Sequence, residues 1–151
     1  MTRRRYQDKW MSPMPEIELM EQIRARKKAL GKELLILTHH YQRKEIVDLG
    51  DYKGDSFGLS KKAAAACDAR FIVFCGVHFM AESAAILSQP HQVVQIPDHR
   101  AGCPMADMAD IDTVQEAWQE LTDVAGEATV VPIVYMNSDA LLFPVSQHVP
   151  D

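Results

Sequence analysis

Leu34-Leu35-Ile36-Leu37-Thr38-His39-His40-Tyr41-Gln42 opens with four consecutive apolar residues and ends in a polar cluster. Three other stretches repeat the pattern. Phe71-Ile72-Val73-Phe74 precedes Cys75-Gly76-Val77-His78, and Val93-Val94-Gln95-Ile96 precedes Pro97-Asp98-His99-Arg100-Ala101-Gly102-Cys103. Val130-Val131-Pro132-Ile133-Val134 precedes Tyr135-Met136-Asn137-Ser138. Short apolar runs that do not alternate fit parallel strands covered on both faces, whereas a half-exposed strand would alternate. Pro132 has no N–H to give to a ladder, so the fourth run is the weakest strand of the four.

Helical patterns separate the runs. Ser12-Pro13 and Pro15 precede Ile17, Leu19, Met20, Ile23 and Leu30 at helical spacing, and Gly31 stands where a left-handed C-terminal cap belongs. This first element reads as an amphipathic helix. Asp55-Ser56 suits the start of a helix running to about Cys67, residues 79–87 form another, and Asp112-x-x-Gln115 resembles a capping box before Trp118 and Leu121. The β-α-β-α-β-α-β series predicts a three-layer αβα unit with a mostly parallel sheet and right-handed crossovers. No internal repeat or low-complexity tract interrupts it.

The 151 residues fit one ordinary domain, and 47% apolar with 25% charged residues excludes a disordered or fibrous chain. The longest nearly apolar run, residues 71–81, is broken by Gly76 and His78 and falls short of the ~18 residues of a membrane span. After the basic start, Tyr6-Gln7-Asp8-Lys9 occupies the place where a secretory signal needs an apolar stretch, so a soluble, cytoplasmic protein is expected. Residues 1–32 hold nine Lys/Arg against four Asp/Glu, while the remainder holds seven against seventeen. An acidic body argues against a nucleic-acid binder, and the basic start is more simply a solvated helix face. Cys67, Cys75 and Cys103 contain no C-x-x-C pair, which suits reduced thiols rather than a disulfide frame.

All four polar clusters follow strands and therefore fall at one edge of the sheet, where parallel α/β folds bind ligands. His39 and His40 alone fit a solvated loop as well as a catalytic site. Tyr41 favours the latter, because an imidazole and a phenol two residues apart in extended chain face one side and suit proton transfer. His40-x-x-x-x-Glu45 lacks the helical spacing of zinc ligands. Gly54-Asp55-Ser56 before a helix suits a phosphate or carboxylate, or simply caps the helix. Neither a dinucleotide fingerprint nor a P-loop occurs. Cys67 and Cys75 read as packed core thiols. Cys103 instead follows Ala-Gly and precedes Pro104 at a helix start, a setting that favours thiolate and metal binding.

Taken in order, His39-His40-Tyr41-Gln42, Gly54-Asp55-Ser56, residues 73–82 (Val73-Phe74-Cys75-Gly76-Val77-His78-Phe79-Met80-Ala81-Glu82), Pro97-Asp98, Ala101-Gly102-Cys103 and Tyr135-Met136-Asn137 resemble the N-terminal part of quinolinate synthase over residues 34–139. The resemblance implies one or more units of a pseudo-threefold α/β fold, with the active site where the units meet. It implies a transferase of pyridine nucleotide (NAD) biosynthesis that condenses iminoaspartate with dihydroxyacetone phosphate to quinolinate, in the cytoplasm. An aspartate-oxidising enzyme that supplies iminoaspartate is the implied protein partner.

A [4Fe-4S] cluster held by one cysteine from each unit is implied as Lewis acid, with Cys103 as the first ligand. By the same matching His39 and Tyr41 become catalytic and substrate-binding residues, Asp55 and Ser56 hold anionic groups, and Tyr135 and Asn137 contact substrate. The expected organisation is an N-terminal helix region at 1–32, a quinolinate synthase-like region at 33–140 and a divergent tail at 141–151, where Pro144 and Pro150 break the helix that should follow. The later cluster cysteines lie in units absent from the 151 residues, so the enzyme is expected to be incomplete in this chain. The alternatives are a non-catalytic α/β module that binds a small dicarboxylate or phosphate, and an inactive truncated remnant.

Overall fold

The computed structural model describes residues 14–126 and 130–142. After helix α1 (Glu16–Leu30) and a 3₁₀ turn (Gly31–Glu33) come β1 (Leu34–His39), α2 (Lys44–Val47), β2 (Tyr52–Gly54), α3 (Ser56–Ala65), β3 (Phe71–Cys75), α4 (His78–Leu87), β4 (Val93–Gln95) and α5 (Ile111–Ala125). The strands form one sheet in the order β2-β1-β3-β4, every pair parallel, with Leu37 opposite both Tyr52 and Phe74, and Ile72 opposite Val94. Helices flank this sheet, as the three-layer α/β reading expects.

The uninterrupted apolar run makes β1 the central strand: Leu35 through His39 are all buried. On one face Leu35, Leu37, Ile72 and Phe74 join Leu59 and Ala63 of α3 and Phe79, Met80 and Ala84 of α4 in a single core. On the other, Thr38 is fully buried and meets the turn after α2 so closely that a Cβ on Gly50 would lie 2.6 Å from its Oγ1. Only glycine allows that approach.

Helix α1 buries none of its residues, and Ile17 and Leu19 of its apolar stripe are exposed. It is tied down at its last turn, where Lys27 Nζ donates to Leu49 O at 2.7 Å and pairs with Asp51 at 2.8 Å. Gly31 ends it with a positive φ of +53°, which glycine adopts freely, but its ψ of −125° lies outside the left-handed cap that the sequence suggests. Residues 1–13 and 143–151, including Ser12-Pro13 and the prolines of the tail, lie outside the described residues.

The expected strand at 130–134 is absent: the described residues from Val130 onward run without a ladder, and Val131 and Ile133 are exposed. Pro132 removes one of the donors such a strand needs. The place beside β1 is taken instead by Tyr52-Lys53-Gly54, too short and too polar to show a strand pattern. Cys67 lies past the end of α3 and is exposed, so it is not a core thiol; Ala63 fills that role. Cys75 is half-buried. The cap of α5 is Asp110, which accepts from Thr113 N–H at 2.9 Å, rather than Asp112. Among the described residues no helix is long and apolar enough to cross a membrane.

Candidate functional site

Strands β1, β2 and β3 end side by side, with His39 opposite Gly54 and Thr38 opposite Cys75. His39 is the last residue of β1, 6% exposed, and its Nδ1 is buried with no hydrogen-bond partner among the described residues. A polar atom left unpaired in such a place is expensive unless a ligand or water satisfies it. Its ring lies 4.0 Å from that of Tyr41 and 4.2 Å from that of His40. Burial, with help from His40, pushes the His39 pKa below the usual imidazole value against an opposing pull from Asp55. The neutral ring is thereby favoured, and it can accept a proton.

Tyr41 has the reverse bias. Tyr41 is 52% exposed, yet the partial covering of its phenol first, and the neighbouring Cys103 second, raise it above its usual pKa, against a hydrogen bond involving the Val77 backbone. Its Oη otherwise meets Met80 Sδ at 3.9 Å, a weak acceptor. A neutral imidazole therefore stacks on a phenol that keeps its proton, the combination a proton-transfer pair requires.

Asp55 caps α3 by accepting from Gly58 N–H at 2.7 Å, and that bond is the main reason its carboxyl lies below the usual range. Ser56, the first residue of the helix, is 6% exposed and follows by two positions Gly54, the register partner of His39. Arg100, in the loop after β4, is engaged by Asp98 at 2.9 Å; the guanidinium holds that carboxyl at about 2.

Cys103 is half-buried and its loop is fastened to the start of α4. Its N–H donates to Asp107 Oδ2 at 3.1 Å, Asp107 Oδ1 faces His78 Nε2 at 3.4 Å, and His78 N–H donates to Ala101 O at 2.9 Å. A Cβ on Gly102 would fall 2.8 Å from Asp107 Oδ2, so the Ala-Gly-Cys sequence suits this close turn. Asp107→Ala is expected to loosen the loop and speed alkylation of Cys103 about fivefold relative to exposed Cys67, equivalent to about 1 kcal/mol for a half-exposed bond. Peptide mass spectrometry after a short iodoacetamide pulse measures the ratio, and an unchanged ratio refutes the role of Asp107.

His39, Tyr41, Ser56 and Cys103 thus share one edge of the sheet. Tyr135 and Asn137 form their own pair, Asn137 Nδ2 donating to Tyr135 Oη at 3.1 Å. The segment that carries them is fastened to α4 without a strand further along, where Ala140 N–H donates to Glu82 Oε2 at 3.2 Å and Leu142 is buried. No described hydrogen bond or ring contact joins them to His39 or Tyr41. One group escaped the sequence reading: His78, Glu82 and Asp139 each place a potential ligand atom within 4.8 Å of the others. His-x-x-x-Glu at helical spacing was the available signal, but the third member is 57 positions further on and shows no local pattern.

The model of the quinolinate synthetase A protein family matches residues 21–149. A quinolinate synthase of Nocardioides sp. is 52% identical over 130 residues, covering 86% of this chain and 33% of that protein. Those of Halalkalibacterium halodurans and Herpetosiphon aurantiacus are 51% and 54% identical, over 85% and 82% of this chain and 35% and 33% of theirs. The chain spans about a third of the length of the curated relatives it matches. With the family model covering most of its length and relatives 51–54% identical over more than four-fifths of it, the chain belongs to the quinolinate synthetase A family.

Proposed function

We propose that this chain supplies one α/β unit of a quinolinate synthase, the enzyme that joins iminoaspartate to dihydroxyacetone phosphate in the cytoplasm for NAD biosynthesis. The observation that supports it best is the stacked His39–Tyr41 pair, with an unpartnered buried ring nitrogen and Cys103 beside the phenol. Condensing an enamine with a triose phosphate and then losing water calls for proton donors and acceptors at adjacent atoms and for groups that hold anions. His39 accepts a proton, Tyr41 donates one from Oη, and Ser56 with the α3 terminus holds an anionic group that Asp55, as the cap, helps to present. Tyr135 and Asn137 also contact substrate. Iminoaspartate reaches the site from an aspartate-oxidising enzyme.

The donor set fits one corner of a [4Fe-4S] cluster. Cys103 stands at the substrate edge with its loop held by Asp107. Cys67 lies at the other end of α3, in a hollow shared with Gly31, Lys32 and Leu34 at the start of β1. Burial raises the Cys75 thiol, which disfavours its thiolate. Cys103 would therefore hold the cluster for this chain, and the other ligands come from polypeptide that the 151 residues do not include. When bound, the cluster supplies an electrophilic iron.

Two results test the proposal in the complete enzyme. Cys103→Ser is expected to remove the cluster, read by iron content and absorbance; full retention overturns the assignment. Ser56→Ala is expected to weaken dihydroxyacetone phosphate binding by roughly 1.5–3 kcal/mol, the worth of a hydrogen bond to a charged group. Stability should change little, because Asp55 rather than Ser56 caps the helix. Calorimetry and thermal unfolding measure the two effects, and unchanged affinity refutes the role of Ser56.

A further inference from the structure

We propose that His78, Glu82 and Asp139 form a site for one first-row divalent metal ion of the zinc type, which fastens the segment carrying Tyr135 and Asn137 onto α4. One donor atom from each of the three lies within 4.8 Å of the others, and all three side chains are half-buried. His78 and Glu82 are four residues apart on α4 and so share a face of the helix. Asp139 comes from the strandless segment that the fold has to hold by other means.

Each of the three side chains also meets a neighbouring group. His78 Nε2 faces Asp107 Oδ1 at 3.4 Å, Glu82 Oε2 accepts from Ala140 N–H at 3.2 Å, and Asp139 Oδ1 accepts from Leu141 N–H at 2.9 Å. Those bonds leave Nδ1 of His78, Oε1 of Glu82 and Oδ2 of Asp139, the atoms that would ligate in this proposal. A carboxylate on the second nitrogen of a ligating histidine, and backbone donors on ligating carboxylates, is the arrangement that aims metal ligands.

Charge points the same way. Glu82, Asp139 and Asp107 gather three carboxylates around one imidazole, and among the described ion pairs none brings a Lys or Arg to any of them. Like charges so placed cost free energy that a divalent cation would offset. The imidazole selects zinc-type ions over magnesium or calcium, and three protein ligands leave a position for water. That position has access to solvent, because His78 and Glu82 line an open hollow with Gln95, Pro97 and His99. The site uses no cysteine and stands whether or not Cys103 holds a cluster.

The test uses the 151-residue chain stripped of metal by a chelator, titrated with Zn²⁺ by calorimetry and with Co²⁺ by absorbance. One equivalent of Zn²⁺ is expected to bind, and Co²⁺ should give visible ligand-field bands without a thiolate charge-transfer band. Glu82→Gln and Asp139→Asn each keep an oxygen for the backbone N–H they now accept, so the fold should survive by circular dichroism while affinity falls about tenfold or more. Glu116→Gln, an equal charge change on α5, should leave affinity unaltered. Zn²⁺ should also slow amide exchange at Ala140 and Leu141. Absence of saturable binding, equal affinity in Glu82→Gln and Asp139→Asn, or a thiolate band overturns the site.

Discussion

Tyr41→Phe in the complete enzyme is expected to lower quinolinate formation by about 10²-fold or more, the usual worth of a positioned general acid. The change deletes one oxygen whose only described side-chain contact is the weak one to Met80 Sδ, while the ring that stacks on His39 at 4.0 Å remains. Thermal unfolding should therefore stay close to that of the parent. The two outcomes separate chemistry from folding. A rate within a factor of two of the parent would show that the phenolic proton takes no part. Activity lost together with the unfolding transition would instead make Tyr41 a packing residue.

Residues 1–151 on their own are expected neither to hold a stable [4Fe-4S] cluster nor to make quinolinate. Such a cluster needs about three or four thiolates fixed by the fold. Here Cys103 and Cys67 stand at opposite ends of the sheet, and the Cys75 thiol is pushed up by burial. The chain also exposes Ile17, Met108, Val124, Ile133 and Leu141, which favours self-association. Anaerobic reconstitution with iron and sulfide, followed by iron content, cluster absorbance and a quinolinate assay, is the measurement. One cluster per chain that disappears in Cys67→Ser or Cys75→Ser would overturn the ligand assignment, and turnover would show that this stretch suffices for catalysis.

Three of the four strands were legible in composition: Leu34-Leu35-Ile36-Leu37 and Phe71-Ile72-Val73-Phe74 are apolar runs that become the inner strands, whereas Val93-Val94 marks a strand that lies at the sheet edge with Val93 exposed. The sequence by itself also determined the cap at Asp55 and the end of α1 at Gly31, where one side chain, or the lack of one, settles the backbone within a few residues. His39, Tyr41 and Cys103 were legible as candidates, since polar residues directly after buried strands must come to one edge.

Features that depend on distant partners came from packing alone. Strand β2 exists because the backbone of Tyr52-Lys53-Gly54 pairs with β1, and backbone pairing leaves no mark in side-chain pattern. The run at 130–134 has strand composition but no ladder partner among the described residues, so composition alone misread it. The alanine neighbours of Cys67 suggest a core position, yet α3 ends at Ala65 and Cys67 is exposed. The lock from Cys103 through Asp107 to His78, and the meeting of Glu82 with Ala140 across 58 positions, are set by where α4 lies on the sheet. Periodicity reports which face of an element is buried, but it is packing between elements that brings residues remote in sequence within bonding distance.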